Sequence, residues 1–280
     1  MKARPEEGRV MPDLYQEKKL TVAYRGGVKE REAADFYADL WKLPLIEITD
    51  REPIPAGALI LEFSEEGVSL LAEGMRNRGD FERMMDRVRP GRWEHELLAK
   101  AARFKRKEPD RIGGGLPEAL RALDATAGMG EDALILAAAG FEVDLAERDP
   151  VIHLLLEDAI ARAGGNANIY LRELAARMRP VEGDSIRRMR EAMPGDWDLI
   201  YLDPMFPERR KSGLVKKKFQ LIHRLERPAT DEEELLAAAL AARPRKIVIK
   251  RPRKGPDLAG EKPSYRILGK AIRYDVIVLT

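Results

Sequence analysis

The sequence has 280 residues, 44% of them apolar and 35% charged, with a formal net charge of +2. That is enough chain for one large α/β domain with a smaller one attached, and too apolar for wholesale disorder. There is no cysteine, which excludes disulfides, thiolate zinc sites and thiol nucleophiles, and the longest apolar runs, such as ALILAAAGF (133–141), fall far short of the roughly 20 residues of a membrane span.

The first residues, MKARPEEGRVMPDLY, lack the apolar segment of a secretory signal, so a cytoplasmic location is expected. LTVAYRG (20–26) and LPLIEI (43–48) read as short strands, and ALILEFSEEGVSLLAE (58–73) as two strands around a Ser-Glu-Glu-Gly turn. FERMMDRV and HELLAKAARF read as amphipathic helices. KEPDRIGGGLPEA (107–119) is a loop, and it divides a small α/β domain over 1–112 from a larger domain over 113–280.

Beyond that loop the chain alternates. RALDATA (121–127) is a strand, EDALILAAAG (131–140) a helix, FEVDLAE (141–147) a strand, and PVIHLLLEDAIARA (150–163) a helix with proline in its first turn. A short strand precedes Asp184. WDLIYLD (197–203) is a strand, DEEELLAAALAA (231–242) a helix, RKIVIKRP (245–252) a strand, and SYRILGKAIRYDVIVLT (264–280) two more. The alternation predicts a doubly wound, mostly parallel sheet closed by a C-terminal antiparallel strand, with ligands at the carboxyl ends of the strands.

DATAGMGED (124–132) links the first strand of this domain to its first helix. Gly128 and Gly130 permit a tight turn and a close ligand approach. Gly128-x-Gly130-x-x-Ala133 also satisfies a dinucleotide fingerprint, with Glu147 near the place of its ribose-binding acid, so a nicotinamide oxidoreductase has to be weighed. The acids argue against it. Asp124 opens the loop and Glu131-Asp132 open the helix, where a pyrophosphate would be repelled. Carboxylates suit S-adenosylmethionine, which carries a sulfonium and an ammonium and no phosphate. Glu147 would accept its ribose hydroxyls, and Asp184 the adenine amino group.

YLDPMFP (201–207) ends the fourth parallel strand of that domain. Proline after Asp203 biases that residue away from helical dihedrals. The Asp203 carboxylate and the Pro204 carbonyl then face the pocket as two acceptors. An exocyclic amine of a nucleobase needs that arrangement, because its lone pair is delocalised until its hydrogens are held. Phe206 would stack on the extruded base. Methylation at C5 of a pyrimidine normally proceeds through a cysteine adduct, which this chain cannot form. His95, His153 and His223 show no metal-ligand spacing, and no metal is expected. Basic clusters at 103–107, 209–218 and 243–254 point to an anionic partner, with Lys211, Lys216, Lys217, Lys218, Lys250, Arg251 and Arg253 as phosphate contacts.

DATAGMGEDALILAAAGFEVDLAERDP, YLDPMFPERRKSGLVKKKF and RKIVIKRP resemble the bacterial family of small-subunit ribosomal RNA guanine-N2 methyltransferases designated J, over roughly residues 120–280. Before residue 120 the similarity is looser, with LILEFSEEGVSLL its clearest piece. The resemblance implies a class I methyltransferase fold. It implies transfer of one methyl group from S-adenosylmethionine to N2 of a guanosine in 16S ribosomal RNA, free or in the small subunit, leaving S-adenosylhomocysteine. It places cofactor contacts at Glu131 and Asp132 after the two glycines, at Glu147 and Arg148, at Asp184 and Ser185, and at Asp203. The residues themselves also admit an amino methyltransferase acting on adenine, whose amine wants the same acceptors. They admit an RNA-binding assembly factor that keeps the fold without turnover.

Overall fold

The computed structural model describes Tyr15 and residues 20–49, 58–72, 75–104, 119–204 and 231–279. The chain forms two compact units and passes from the first to the second between Gly79 and Asp80. The boundary expected at 112/113 lies outside the described residues. The helical turns at 82–102 belong to the second unit, because Phe81, Met84, Val88, Leu98 and Ala101 are buried in its core.

In the first unit β1 (Leu20–Arg25), α1 (Val28–Trp41) and β2 (Leu45–Glu47) lead into a hairpin of β3 (Leu59–Ser64) and β4 (Gly67–Ala72), then β5 (Met75–Asn77). The sheet order is β2-β1-β3-β4-β5, parallel on one side of β3 and antiparallel on the other. The hairpin is the one the Ser-Glu-Glu-Gly turn predicts. Ser64 Oγ donates to the Gly67 carbonyl at 3.1 Å, and Gly67 takes φ 107°, which glycine allows without strain. Helix α1 has no counterpart in the sequence expectations. It buries only Ala34, Ala38 and Trp41, a stripe too small to stand out as a hydrophobic period. Glu62, on β3, is fully buried and is neutralised by Arg25 at 2.9 Å and Arg76 at 2.5 Å.

The second unit opens with the short α2 (Met85–Val88) and α3 (Leu97–Ala102). Strand β6 (Arg121–Asp124), α4 (Glu131–Ala138), β7 (Glu142–Glu147), α5 (Pro150–Gly164), α6 (Ile169–Ala176) and β8 (Met178–Glu182) follow. Then come α7 (Ser185–Glu191), β9 (Leu199–Leu202), α8 (Glu232–Ala241), β10 (Lys246–Pro252), β11 (Tyr265–Leu268) and β12 (Ile272–Val278). The seven strands are ordered β11-β12-β10-β9-β6-β7-β8. Strands β8, β7, β6, β9 and β10 run parallel, and β12 is antiparallel to both β10 and β11. This is the doubly wound class I methyltransferase arrangement with its antiparallel C-terminal strand.

The central parallel strands β6, β9 and β10 are apolar on both faces through most of their length because helices cover both, whereas the edge strand β8 is only partly buried. Leu134, Leu136, Val143, Leu145, Leu156, Tyr201 and Val248 lie in the core on one side of the sheet. Leu123, Ile200, Leu202, Ile247 and Ile249 lie in the other, with Leu235 and Leu236 of α8. Asp149 caps α5 by accepting the N–H groups of Val151 and Ile152, both at 3.0 Å, and Pro150 fills the first turn, where no donor is needed. Among the described residues no helix is long and apolar enough to cross a membrane.

Candidate active site

Strand order reverses between β6 and β9, and the crevice of such a sheet opens at the carboxyl ends there. Asp124 closes β6, Asp203 directly follows β9, Lys250 lies near the end of β10, and Glu147 closes β7. The registers Asp124↔Tyr201 and Tyr201↔Val248 put these three on one face, and the two-residue period adds Asp203 and Lys250 to it.

The turn after β6 is tied to β9. Asp124 is buried and its Oδ1 accepts the Thr126 N–H at 3.1 Å. The Thr126 hydroxyl in turn accepts the Asp203 N–H at 2.7 Å. Burial pushes the Asp124 carboxyl up to about 8, against the Thr126 N–H, which favours the charged form. Asp124 therefore acts as a buried anchor for the turn rather than as a group facing the crevice.

Glycines shape the loop that follows. Gly128 has φ 52°, and a Cβ there would meet nothing within 4 Å, so this backbone borders open space. Gly130 has φ 77°, and a Cβ there would lie 2.7 Å from Leu156, 3.1 Å from Phe81 and 3.3 Å from Leu145. Glu147 reaches back to the same loop. Its Oε2 accepts the Gly128 N–H at 3.0 Å and its Oε1 the Asp149 N–H at 2.8 Å. Burial raises its carboxyl to about 7, with those two N–H groups opposing. An ionised carboxylate has about four acceptor positions, so two remain for ribose hydroxyls.

Asp132, in the first turn of α4, faces inward. Its Oδ2 accepts the Tyr201 hydroxyl at 2.6 Å and the Lys250 ammonium at 2.7 Å. The same ammonium donates to Asp203 Oδ2 at 2.8 Å. Between a fifth and a third of each of these three charged side chains is exposed, so the cluster borders the crevice without being sealed. Burial disfavours the Lys250 ammonium, yet Asp132 and Asp203 outweigh it and hold the group above the ordinary lysine range. Burial pushes Asp203 up, and Lys250 is the chief opposing influence.

The remaining expected positions are more dispersed. Glu131 is exposed in the same helical turn as Asp132. Arg148 pairs with Asp231 at 3.4 Å. Asp184 is exposed and caps α7 by accepting the Ile186 N–H at 2.9 Å, with Ser185 beside it. Pro204 is buried next to Asp203. Two expected phosphate contacts are corrected. Lys250 is committed to Asp132 and Asp203. Arg251 is buried with its side chain on the opposite face of β10, where it donates to Glu232 at 3.2 Å and to the Pro256 carbonyl at 3.1 Å. Strand alternation alone separates these neighbours. Arg253 is exposed and donates to the Gly269 carbonyl. Phe206, Lys211, Lys216, Lys217 and Lys218 lie outside the described residues. Thr126 and Tyr201 are site residues that the sequence did not single out. The signal for Thr126 is Asp-x-Thr in a strand-to-helix turn, where a carboxylate commonly accepts the N–H two residues on.

A family model described as "Putative SAM-dependent methyltransferase" matches residues 58–279. The chain belongs to that family of methyltransferases. Ribosomal RNA small subunit methyltransferase J of Pseudomonas aeruginosa (strain UCBPP-PA14) is 37% identical over 262 residues, covering 88% of this chain and 89% of the relative. The protein of the same name from Pseudomonas fluorescens (strain Pf-5) is 48% identical over 156 residues, covering 56% of this chain and 59% of the relative. That match and those to the proteins from Stutzerimonas stutzeri and Pseudomonas syringae span about 60% or less of the relatives' lengths. The crystal structure of a SAM-dependent methyltransferase from Neisseria gonorrhoeae superposes with a TM-score of 0.63 at 29% identity, covering 92% of this chain and 96% of that one. Membership removes the nicotinamide oxidoreductase reading, and S-adenosylmethionine is the cofactor of the family. The residues present fit it. Open space borders Gly128, Glu147 is aimed at that loop, and the charged groups of the loop and the first turn of α4 are all acids, suited to a cation without phosphate. Among the described residues no group of three or more His, Cys, Asp or Glu could hold a metal ion.

Proposed function

We propose that the protein methylates the exocyclic N2 amine of a guanosine in 16S ribosomal RNA, using S-adenosylmethionine, in the cytoplasm. The observation that carries this is the placement of Asp203. Its backbone is tied to the glycine-loop turn through Thr126, its Oδ2 is held by Lys250, and Pro204 follows it at the mouth of the switch point. The relatives' name, ribosomal RNA small subunit methyltransferase J, supports the RNA substrate.

S-adenosylmethionine supplies an electrophilic methyl group on a cationic sulfonium. Glu147 holds the ribose, and the Gly128–Gly130 loop admits the ligand to the backbone. Asp203 Oδ1 and the Pro204 carbonyl accept the two hydrogens of the target amine and aim its lone pair. No strong base is required, because the nitrogen becomes acidic once alkylated, and Asp203 lies where it can take the proton. Phe206 stacks the extruded base. Lys211, Lys216, Lys217, Lys218 and Arg253 contact phosphates, and the first unit positions the RNA.

The test is transfer of tritiated methyl from S-adenosylmethionine to undermethylated small subunits and to their naked RNA, with nucleosides resolved by mass spectrometry. N2-methylguanosine is the expected product. N6-methyladenosine would keep the chemistry and overturn the base assignment. Cofactor binding without transfer to either substrate would favour an assembly factor.

A further inference from the structure

Among the described residues, Lys250 touches both sides of the crevice. On the cofactor side it meets Asp132, which stands in the helical turn directly after the glycine loop. On the acceptor side it meets Asp203. Both bonds are short and charge-assisted, and each ends on the Oδ2 atom of its aspartate. Tyr201 donates to that same Asp132 oxygen at 2.6 Å, which fixes the aspartate's orientation from the floor of the site.

We infer that Lys250 is a positioning residue that locks Asp203 and Asp132 into one arrangement, joining the cofactor end of the crevice to the end that receives the amine. This rests on the methyltransferase reading above and adds a part to it. Three consequences follow from the charges. Without the ammonium, two carboxylates would share one corner of a half-buried site, and one of them would take up a proton. A protonated Asp203 would offer a hydroxyl donor toward an amine that needs acceptors. With the ammonium in place, the corner carries two negative charges and one positive, a net charge that matches a single incoming sulfonium. Lys250 thus leaves the site attractive to the cofactor while keeping Asp203 an acceptor.

The charged and titratable groups facing Asp203 come from every neighbouring strand and from α4. They are Lys250 on β10, Asp132 on α4, Tyr201 on β9, Asp124 on β6 and Tyr274 on β12, with Arg251 acting on Asp203 only through its charge from the far face of β10. Among them only Lys250 makes a hydrogen bond to its carboxylate among the described residues. Arg251 has its own carboxylate partner, Glu232, on the other face of the sheet. The arrangement therefore predicts shifts of opposite sign for two substitutions around one aspartate.

The experiment is a carbon-13 titration of the aspartate carboxyls in the full chain without ligands, with the Asp203 signal assigned from Asp203→Asn. In Lys250→Met the Asp203 midpoint should rise by about 1–3 pH units, the usual size for loss of a close opposite charge. In Asp132→Asn it should fall, because a like charge is gone and the ammonium serves Asp203 alone. Lys250→Arg should stay near wild type. In parallel, the acid limb of single-turnover methyl transfer should move up in Lys250→Met while affinity for S-adenosylmethionine, by calorimetry, changes less than tenfold. Should Lys250→Met fail to fold, the Asp132→Asn shift decides alone. An Asp203 midpoint that stays put, or that moves the same way in both variants, overturns the inference. Absence of transfer by the wild-type protein would instead strike the proposed function, and the titration would still be readable.

Discussion

Two ion clusters involve β10 or its neighbour β12, and each sets one cation between two aspartates to a different use. One joins Lys250 to Asp132 and Asp203. The other centres on Arg273 of β12, which is 4% exposed and donates to Asp275, to Asp257 and to the carbonyls of Pro252, Arg253, Gly255 and Pro256. The Arg273 cluster directs its donors to a backbone loop and a buried carboxylate, so it fixes the path of the chain after β10. The Lys250 cluster stays partly open and keeps acceptor positions on Asp203 facing the crevice. The difference lies in saturation. A buried pair whose partners are all satisfied holds structure, and one with acceptors left over can hold a substrate.

Substitutions can break this contrast. Arg273→Ala should have the largest effect, a loss of about 3–5 kcal/mol in urea unfolding, because buried Asp275 would keep only the half-exposed Arg266 as a cation and the loop carbonyls of Pro252, Arg253, Gly255 and Pro256 would lose their shared donor. A loss below 1 kcal/mol would show that the loop is held by other means. Asp203→Ala should lower methyl transfer by about 10²–10³-fold, the usual effect of removing one preorganised electrostatic group. The melting temperature should stay within a few degrees of wild type. If stability and turnover fall together, Asp203 belongs with the structural cluster.

Glu147→Ala should weaken S-adenosylmethionine binding by about 1.5–3 kcal/mol, the range for hydrogen bonds to a charged group, as read by calorimetry. The same residue gives a pH signature. In the folded protein Glu147 keeps its proton up to about pH 7, whereas an unperturbed glutamate releases it near 4.5. The folded state therefore binds more protons across that window, and the free protein loses stability as pH rises through it. Ribose hydroxyls favour the carboxylate, so cofactor binding near pH 6–7 should release protons, and Glu147→Gln should abolish the release. The smallest effect is expected from Arg266→Ala. This arginine bonds Asp257 and Asp275 from a half-exposed position at the rim of the Arg273 cluster, so its loss should cost under about 1 kcal/mol.

How far the sequence foretold these parts depended on what each part is made of. The run from β6 to α5 was plain because large apolar blocks alternate with Gly140 and Pro150 as punctuation. Helix α1 was hidden because its buried stripe is mostly alanine. Helix α6 is short and buries only Leu171, Leu174 and Ala175, too few positions to establish a period. Asp203 and Glu147 stood out as acids at strand ends. The partnership of Lys250 with Asp132 did not, since 118 residues separate them and only the sheet brings them together. Lys250 and Arg251 looked alike within RKIVIKRP. The two-residue period of the strand sends them to opposite faces, one to Asp132 and Asp203 and the other to Glu232.

Gly130 ties the loop to the hydrocarbon beneath it. Leu156, Phe81 and Leu145 press toward the place a Cβ would occupy, and they come from three separate stretches of chain. The height of the loop above the sheet is therefore gauged by buried apolar side chains. Trimming Leu156 would make room on one side, but Phe81 and Leu145 would still crowd an alanine at Gly130, and the left-handed backbone would cost it about 1–2 kcal/mol besides. The entrance to the cofactor site is in this sense inherited from the interior, and errors in packing there would surface as errors in binding.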